Sequence, residues 1–450
     1  MNNKTVQACC LPVYMIFTIS AFLMLASPWF AKPAAGQTQE QGTEPGEPLP
    51  TGSEAPPNSW QDISERLSFV AQLDGYYSLS EQAGGGSLSG GGLSGVLAPV
   101  FRINDRSTFL LLYNGEYYQR RDYYSDLVGP RERTEFQSHT ITPMVKLDFG
   151  ERNRYSLTPS FFFTWTYNKD VAGGGWDDGL YNYRDKGGGI DFRMKELGFG
   201  NADGALKLGL QYYQREYPNF QSLLDLATGI GTERDERDYD GTLARIGYAW
   251  GNKTGPAWAA DYYLLYKDLE DKKVVDANGV LTDEAQKDYQ HGLELRTYYV
   301  PTGNPGLRLG LDISGGLYRS NQNYYDGLGT IGLSDDKFMT DFYDYNSYGV
   351  RPNLSYTFSA LPLTPSFSYA YRKTDFLGRL AQFPNGTYKE EKQEEELNAI
   401  EVGLRYDLLK NLSLYTRLQY LKVRSNNDDQ TVYSYDHEVT NFYAGLSLRY

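Results

Sequence analysis

Residues 438–450, at the end of the chain, alternate between two kinds of side chain. Because successive side chains of a β-strand point to opposite faces, this pattern predicts a strand with one apolar face. A long alternating strand at a chain terminus needs a partner, and in a closed barrel the partner of the last strand is the first strand. The apolar face carries Phe442, Ala444, Leu446, Leu448 and Tyr450, and the mixed face carries Asn441, Tyr443, Gly445, Ser447 and Arg449.

The same alternation recurs from about residue 65 onward. In residues 155–167 the odd positions are mostly apolar and aromatic, such as Leu157, Phe161 and Trp165, whereas the even positions are mostly Ser and Thr. At about 3.3 Å per residue, a strand of this length can cross a tilted barrel wall. We predict sixteen strands, at residues 66–79, 92–103, 107–120, 135–149, 154–167, 188–199, 205–217, 239–250, 256–268, 287–300, 306–319, 346–360, 365–373, 395–408, 412–424 and 437–450.

The connections between these strands are of two lengths. Short connections carry hairpin-turn residues, as in 104–106, 150–153 and 409–411, whereas long polar connections occupy 168–187, 218–238, 321–343 and 374–394. Alternating short and long connections are typical of outer-membrane barrels, which have short periplasmic turns and long extracellular loops. The chain is therefore predicted to be all-β, with residues 65–450 forming a transmembrane antiparallel up-and-down β-barrel of about 16 strands, within a range of 14–18.

The start of the chain has a different composition. Residues 1–36 combine Lys4, an apolar run over 11–26 and small residues at Ala34 and Gly36, which together predict a cleaved secretory signal peptide; a retained membrane anchor is the alternative. Residues 37–64 are rich in Pro, Glu and Gly, and we expect a disordered acidic lead-in in the periplasm. Both cysteines, Cys9 and Cys10, lie before the apolar run, so the mature chain would form no disulfide.

Charge and aromatic content narrow the class further. The formal charge is −14, and removal of residues 1–36 would take away two lysines and no acid, leaving −16. Such a chain has no electrostatic attraction to nucleic acid. The 40 tyrosines suit the aromatic girdles of a membrane barrel. After the first 36 residues no apolar run approaches the roughly 20 residues of a membrane helix.

The residues most informative about function are the charged side chains on the strand face opposite the apolar side chains. Each charged side chain on the lipid face near the middle of the bilayer would destabilise the folded barrel by about 2–4 kcal/mol, so we expect these side chains to point inward. Inward arginines opposed by acids would set the selectivity of a water-filled pore. In the alternative, a plugged barrel, they would simply pair across strands. The predicted pore-lining residues are Arg215, Arg245, Glu294, Arg296, Arg308, Asp312, Arg351, Glu401, Arg405 and Arg417, and the inward set also includes Lys207 and Asp261.

Catalytic and metal-binding patterns are not found in the sequence. His139, His291 and His437 are isolated, and neither HExxH nor GxSxG occurs. The glycine runs at 84–86, 90–92, 173–175 and 187–189 are not followed by the Lys and Ser/Thr of a phosphate-binding loop. We therefore predict no enzymatic activity, no cofactor and no bound metal; the alternative is an outer-membrane enzyme that hydrolyses lipid with a Ser–His pair brought together by the fold.

The closing hairpin carries a family resemblance. Residues 415–426 end in Arg-Ser-Asn, residues 433–436 read Tyr-Ser-Tyr-Asp, and residues 446–450 end in Tyr450. This region resembles the closing hairpin of β-barrel porins of Gram-negative bacteria, and it is also similar to the C-terminal barrel of surface lipoprotein assembly modifiers. The terminal strand likewise resembles the signal that the barrel-assembly machinery reads, which implies that role for Phe442, Leu446, Leu448 and Tyr450.

Two functions follow as hypotheses. The porin resemblance implies an outer-membrane channel for passive diffusion of small hydrophilic solutes. The alternative is a barrel that exports a polysaccharide or assembles a lipoprotein at the surface. Both hypotheses place the chain in the bacterial outer membrane, with membrane lipid, lipopolysaccharide and the barrel-assembly machinery as its partners.

Overall fold

A computed structural model describes residues 66–82, 87–123, 133–169, 175–198, 203–220, 235–252, 255–326, 337–429 and 435–450. The predicted signal peptide (1–36) and lead-in (37–64) lie outside these ranges. Within them, no helix has the length and apolar character needed to cross a membrane.

Sixteen antiparallel strands form one closed sheet, which confirms the predicted fold class. Each strand pairs with its neighbour in sequence, except that β11 (Leu307–Ser320) pairs with β14 (Tyr345–Tyr356) and β18 (His437–Arg449) pairs with β1 (Leu67–Gln82). The first half of the ring consists of β1 (Leu67–Gln82), β2 (Ser87–Asn104), β3 (Ser107–Tyr123), β4 (Arg133–Phe149), β5 (Tyr155–Lys169), β6 (Tyr183–Lys195), β7 (Asp203–Glu216) and β8 (Tyr239–Gly251). The second half consists of β9 (Gly255–Val275), β10 (Leu281–Val300), β11 (Leu307–Ser320), β14 (Tyr345–Tyr356), β15 (Leu363–Gln382), β16 (Tyr388–Leu409), β17 (Leu412–Ser425) and β18 (His437–Arg449).

The seam between β1 and β18 closes the barrel, as the terminal alternation predicts. The N–H of Tyr450 donates to the carbonyl of Ala71 at 2.7 Å, and the N–H of Ala71 donates to the carbonyl of Tyr450 at 2.9 Å. Farther along the seam, Ser80 Oγ donates to Asn441 Oδ1 at 2.5 Å. We call the end of the barrel where β1 begins and β18 ends the turn end, and the opposite end the loop end.

Alternation along the strands separates two faces. The outer face carries exposed apolar side chains on every strand of the ring, as illustrated by Phe161, which is 64% exposed, and Leu210, which is 52% exposed. Phe442, Leu446, Leu448 and Tyr450 continue this face on β18 and at the chain end. An apolar surface of this extent is incompatible with water and fits the lipid-facing band of a transmembrane barrel.

Several strands extend farther than predicted, and the largest extensions are at the loop end. The prediction of a long loop over 374–394 is wrong, because β15 continues to Gln382, β16 begins at Tyr388, and residues 383–387 alone connect them. Likewise, β9 and β10 are joined by residues 276–280 only. These extensions lack the regular apolar alternation of the rest of the strands, yet their backbone ladders continue with local register shifts.

The segment between β11 and β14 packs against the two extended hairpins, β9–β10 and β15–β16. It contains a short two-stranded sheet of β12 (Tyr324–Asp326) and β13 (Lys337–Met339). The amide of Asn323 donates to the carbonyl of Val275 at 2.9 Å, and the hydroxyl of Tyr388 donates to Asp326 at 2.7 Å. The segment thus connects the β9–β10 hairpin to the β15–β16 hairpin at the loop end.

Inward-facing tyrosines lie flat over glycines of neighbouring strands. A Cβ on Gly92 would come within 2.6 Å of the Tyr76 ring, and a Cβ on Gly292 would collide with the Tyr263 ring. Aromatic side chains that cover glycines in this way support a curved sheet. The aromatic-girdle interpretation therefore explains only part of the tyrosine content. The inner face carries Tyr76, Tyr118, Tyr183, Tyr213, Tyr239, Tyr263, Tyr298, Tyr318, Tyr345, Tyr415 and Tyr443.

Candidate functional site

The inner face of the sheet carries all ten residues that the sequence predicts to line a pore. On β10, for example, Glu294 and Arg296 alternate with the exposed Leu293 and Leu295. The same parity places Arg215, Arg245, Arg308, Asp312, Arg351, Glu401, Arg405 and Arg417 opposite the apolar face. Whether these side chains line a conducting pathway stays a prediction.

Neighbouring strands from β8 to β10 present alternating charges. Arg245 on β8 interacts electrostatically with Asp191 of β6 and Asp261 of β9. Arg296 forms an ion pair with Asp261, and its Nε lies 3.7 Å from Glu294. These groups therefore compensate one another across strands at a height four to six residues from the turn end.

The series of charges continues from β10 to β17. Asp312 on β11 lies directly between Arg296 and Arg351 in the strand registers. Glu401 on β16 is then approached from both sides, because its Oε1 lies 4.0 Å from Arg351 Nη2 and 3.5 Å from Arg417 Nε. The Arg351 side chain is 49% exposed and that of Arg417 is 50% exposed. Two guanidinium groups thus share one carboxylate at long distance, and each remains about half exposed on the inner face.

Cations predominate on the inner face near the turn end. Counting inward positions of the described strands that lie within eight residues of the turn end, there are twelve cationic and nine acidic side chains. The cations are Arg102, Lys146, Arg193, Lys195, Lys207, Arg245, Arg296, Arg308, Arg351, Arg405, Arg417 and Arg449. The acids are Asp74, Asp148, Asp191, Asp203, Asp261, Glu294, Asp312, Glu401 and Asp407.

Arg215 differs from the other predicted residues because its charge is enclosed. Its Nε and Nη2 donate to the two carboxylate oxygens of Asp185, each at 2.7 Å. Its guanidinium also lies 3.9 Å from the centre of the Tyr183 ring and 5.5 Å from that of Tyr239. With side-chain exposures of 21% for Arg215 and 9% for Asp185, the pair belongs to a packed wall near the loop end. Sequence parity places Arg215 inward, but it cannot reveal this aromatic enclosure.

Strands β2 to β5 form an arc whose inner face carries little charge at mid-height apart from Glu116 of β3, because the inward Arg102, Lys146 and Asp148 lie near the turn end. At mid-height their inward positions include Val96, Leu112, Thr142, Met144 and Phe162. The cross-strand contacts here are hydroxyl pairs, such as Thr140 with Thr164 at 2.9 Å, and ring stacking, such as Tyr118 on Phe136 at 4.7 Å. We call this the neutral arc, and the arc from β6 to β17 the charged arc.

Two histidines lie on the outer face rather than in the lumen. The hydroxyl of Tyr113 is 2.8 Å from His139 Nδ1, and the hydroxyl of Tyr262 is 2.7 Å from His291 Nδ1. Each pair joins neighbouring strands at the lipid-facing surface. Over the described ranges, no three His, Cys, Asp or Glu side chains are grouped so as to hold a metal ion.

Comparisons with known proteins give only distant similarities. No protein-family model and no curated protein matches the chain. Among solved structures, the barrel is similar to a loop L8 deletion mutant of OmpT, an outer membrane protein of Vibrio cholerae, at 12% identity and TM-score 0.43, over 86% of this chain and 100% of that one. It is also similar to Pseudomonas aeruginosa OccK3 (OpdO), at 13% identity and TM-score 0.41, over 87% of this chain and 100% of that one. Another similar structure is Pseudomonas aeruginosa OpdK with vanillate, at 10% identity and TM-score 0.42, over 85% of this chain and 99% of that one. At these identities and TM-scores, the function of the chain has to be argued from its own residues.

Proposed function

We propose that this protein is a porin-like channel of the bacterial outer membrane, through which small hydrophilic solutes diffuse passively. The observation that supports this most directly is the charged arc, where arginines such as Arg351 and Arg417 are half exposed inside a closed sheet. A ring of sixteen strands is usually wide enough for an aqueous lumen. Charged side chains that are hydrated in such a lumen select among ions and solutes.

The proposed orientation places the turn end in the periplasm and the loop end outside the cell. This follows from the general arrangement of outer-membrane barrels, whose turns face the periplasm. In this orientation Phe442, Leu446, Leu448 and Tyr450 lie on the lipid-facing surface of the last strand and its end, where the assembly machinery would read them. Outer-membrane lipid and lipopolysaccharide would surround the apolar outer face.

Single-channel recording tests the proposal. Purified protein whose folded state is verified by heat-modifiable electrophoretic mobility would be added to a planar lipid bilayer in KCl. We expect stepwise openings, and we expect liposomes containing the protein to swell in solutions of small sugars. A folded protein that produces neither openings nor swelling would overturn the channel and favour an export or assembly barrel.

A further inference from the structure

We propose that the charged arc favours small zwitterionic solutes, whose ammonium and carboxylate groups are roughly 5 Å apart, over uncharged solutes of the same size. The ammonium group would approach an inward acid, and the carboxylate group would approach an arginine on a neighbouring strand. Short peptides and γ-amino acids have such a charge separation. Because it names the class of solute that would pass, this inference rests on the proposed function.

The charges of the arc alternate in sign around the wall. From β6 to β17, four acids and four arginines follow one another, four to eight residues from the turn end of their strands. Lys207, Glu294 and Arg405 also lie at this height, so six cations stand beside five acids and the net charge is small. In ring order the alternating series is Asp191, Arg245, Asp261, Arg296, Asp312, Arg351, Glu401 and Arg417.

The centre of the series consists of three residues in direct register. Asp312 on β11 is opposite Arg296 on β10 and also opposite Arg351 on β14. Because neighbouring strands are about 4.8 Å apart, opposite charges recur here at roughly that interval. Over the described residues Asp312 forms no ion pair, whereas Arg296 pairs with Asp261 and Arg351 approaches Glu401. A solute that carries both charges can therefore contact an acid and an arginine at the same time.

The ion pairs that flank this centre are long and exposed. Glu401 Oε1 lies 4.0 Å from Arg351 Nη2 and 3.5 Å from Arg417 Nε, and both arginines are about half exposed. By contrast, the enclosed pair of Arg215 and Asp185 has a distance of 2.7 Å. Exposed pairs of the first kind contribute little, so a solute can compete with them at small cost.

The wall across the lumen is uncharged at this height. In a ring of sixteen strands, β11 and β14 lie opposite β3 and β4. Leu112 on β3 and Met144 on β4 point inward five residues from the turn end, the same height as Asp312 and Arg351. No charges on these two opposite strands therefore compete for a solute that is held on the charged arc.

Alternating order discriminates against solutes that carry a single charge. The attraction of such an ion to one side chain is offset by repulsion from the neighbours on either side, and the offset becomes more complete as the ion moves away from the wall. A zwitterion that lies along the wall meets an opposite charge at each end, whereas an uncharged solute gains from neither. The order of the charges, more than their number, should therefore determine the preference.

Liposome swelling tests the preference with two solutes of similar size. Glycylglycine is a zwitterion, and N-acetylglycinamide is an uncharged counterpart. At low ionic strength, we expect liposomes that contain the protein to swell at least about twofold faster in glycylglycine than in N-acetylglycinamide. Equal rates in liposomes whose protein opens in KCl bilayers would overturn this inference alone. A folded protein that never opens would overturn the channel proposal and this inference with it.

An exchange of two charges tests whether their order is the cause. The variant Asp312→Arg with Arg351→Asp keeps the number of charges and the net charge, but it places like charges on β10 and β11 in direct register. We expect the ratio of the two swelling rates to fall to about one. The native ratio in this variant, once its folding is verified by heat-modifiable mobility, would overturn the inference.

Two further variants complete the comparison. The control Lys146→Gln with Asp148→Asn removes an ion pair of 2.8 Å from the inner face of the neutral arc, and we expect it to keep the native ratio. Loss of the preference in this control would overturn the assignment to the charged arc. If the exchange variant does not fold, Asp312→Asn with Arg351→Gln also preserves the net charge and is held to the same expected ratio of about one.

Discussion

The neutral arc and the charged arc are built from the same kind of strand but differ in what holds their inner faces together. On the neutral arc, hydroxyl pairs such as Thr140 with Thr164 and rings such as Tyr118 on Phe136 connect the strands. On the charged arc, the connections are ion pairs such as Arg296 with Asp261. Backbone ladders run through both arcs without a difference in topology.

This difference indicates that neighbouring strands can pair at mid-height without inward ion pairs. Half-exposed ion pairs contribute at most about 1 kcal/mol each, which a hydroxyl pair can match. We therefore propose that the exposed charges of the charged arc serve conduction rather than stability. Arg215 and Asp185 are an exception, because they are enclosed.

Removal of Arg215 should have the largest effect on stability. Arg215→Ala leaves the Asp185 carboxylate enclosed without its partner, and we expect a loss of about 3–5 kcal/mol in the free energy of unfolding. Arg417→Ala, at a half-exposed arginine of the same arc, should cost less than about 1 kcal/mol. Urea titrations in lipid vesicles would measure both. Equal losses for the two variants would show that enclosure does not distinguish structural from exposed charges.

A smaller loss is expected when a charge is placed on the outer face of the neutral arc. Phe163→Arg puts a guanidinium into lipid eight residues from the turn end of β5, and we expect a cost of about 2–4 kcal/mol. The neighbouring Thr164→Arg points inward, and its free energy of unfolding should change by less than about 1 kcal/mol. The same vesicle titration applies. If Thr164→Arg were the costlier change, the assignment of the two faces would be reversed.

The exposed arginines should affect selectivity with little effect on stability. Replacing Arg351→Glu and Arg417→Glu together should shift the reversal potential in a KCl gradient strongly toward cations, because the Glu401 carboxylate would then lie between two further acids. The charge-preserving variants Arg351→Lys and Arg417→Lys serve as the control and should retain the native reversal potential. An unchanged potential in the Glu variant would mean that ions do not pass the charged arc.

Much of this architecture is predictable from the sequence because lipid contact leaves a strict two-residue period. That period correctly predicts sixteen strands, their faces, and a last strand that pairs with the first. Where strands rise beyond the lipid, the period disappears. Residues 389–396 of β16 are almost all Lys and Glu, so the sequence predicts a loop although the backbone ladder continues.

The partners of the inward charges are less predictable. Parity fixes the face on which Arg351 and Glu401 lie, but their proximity depends on the register of two intervening strand pairs, which no local pattern encodes. The inward tyrosines were missed for a related reason. An aromatic residue on an alternating strand can lie in an outer aromatic girdle, or it can point inward and cover a glycine of the neighbouring strand. Only the strand register distinguishes these two positions, as it does for Tyr263 and Gly292.

The seam also has a consequence for the order of folding. Ser80 and Asn441, which bond across it, are 361 residues apart, whereas the other strand pairs join neighbours along the chain. Hairpins can therefore assemble progressively, while β1 and β18 keep unpaired edges until the whole ring is present. The entropic cost of closing a loop rises only slowly with its length, so the free energy of pairing β1 with β18 is not the main obstacle. The pairing instead has to wait until all the intervening strands are in place. Until that step, two open edges are available to other chains, and the chain depends on an environment that shields them.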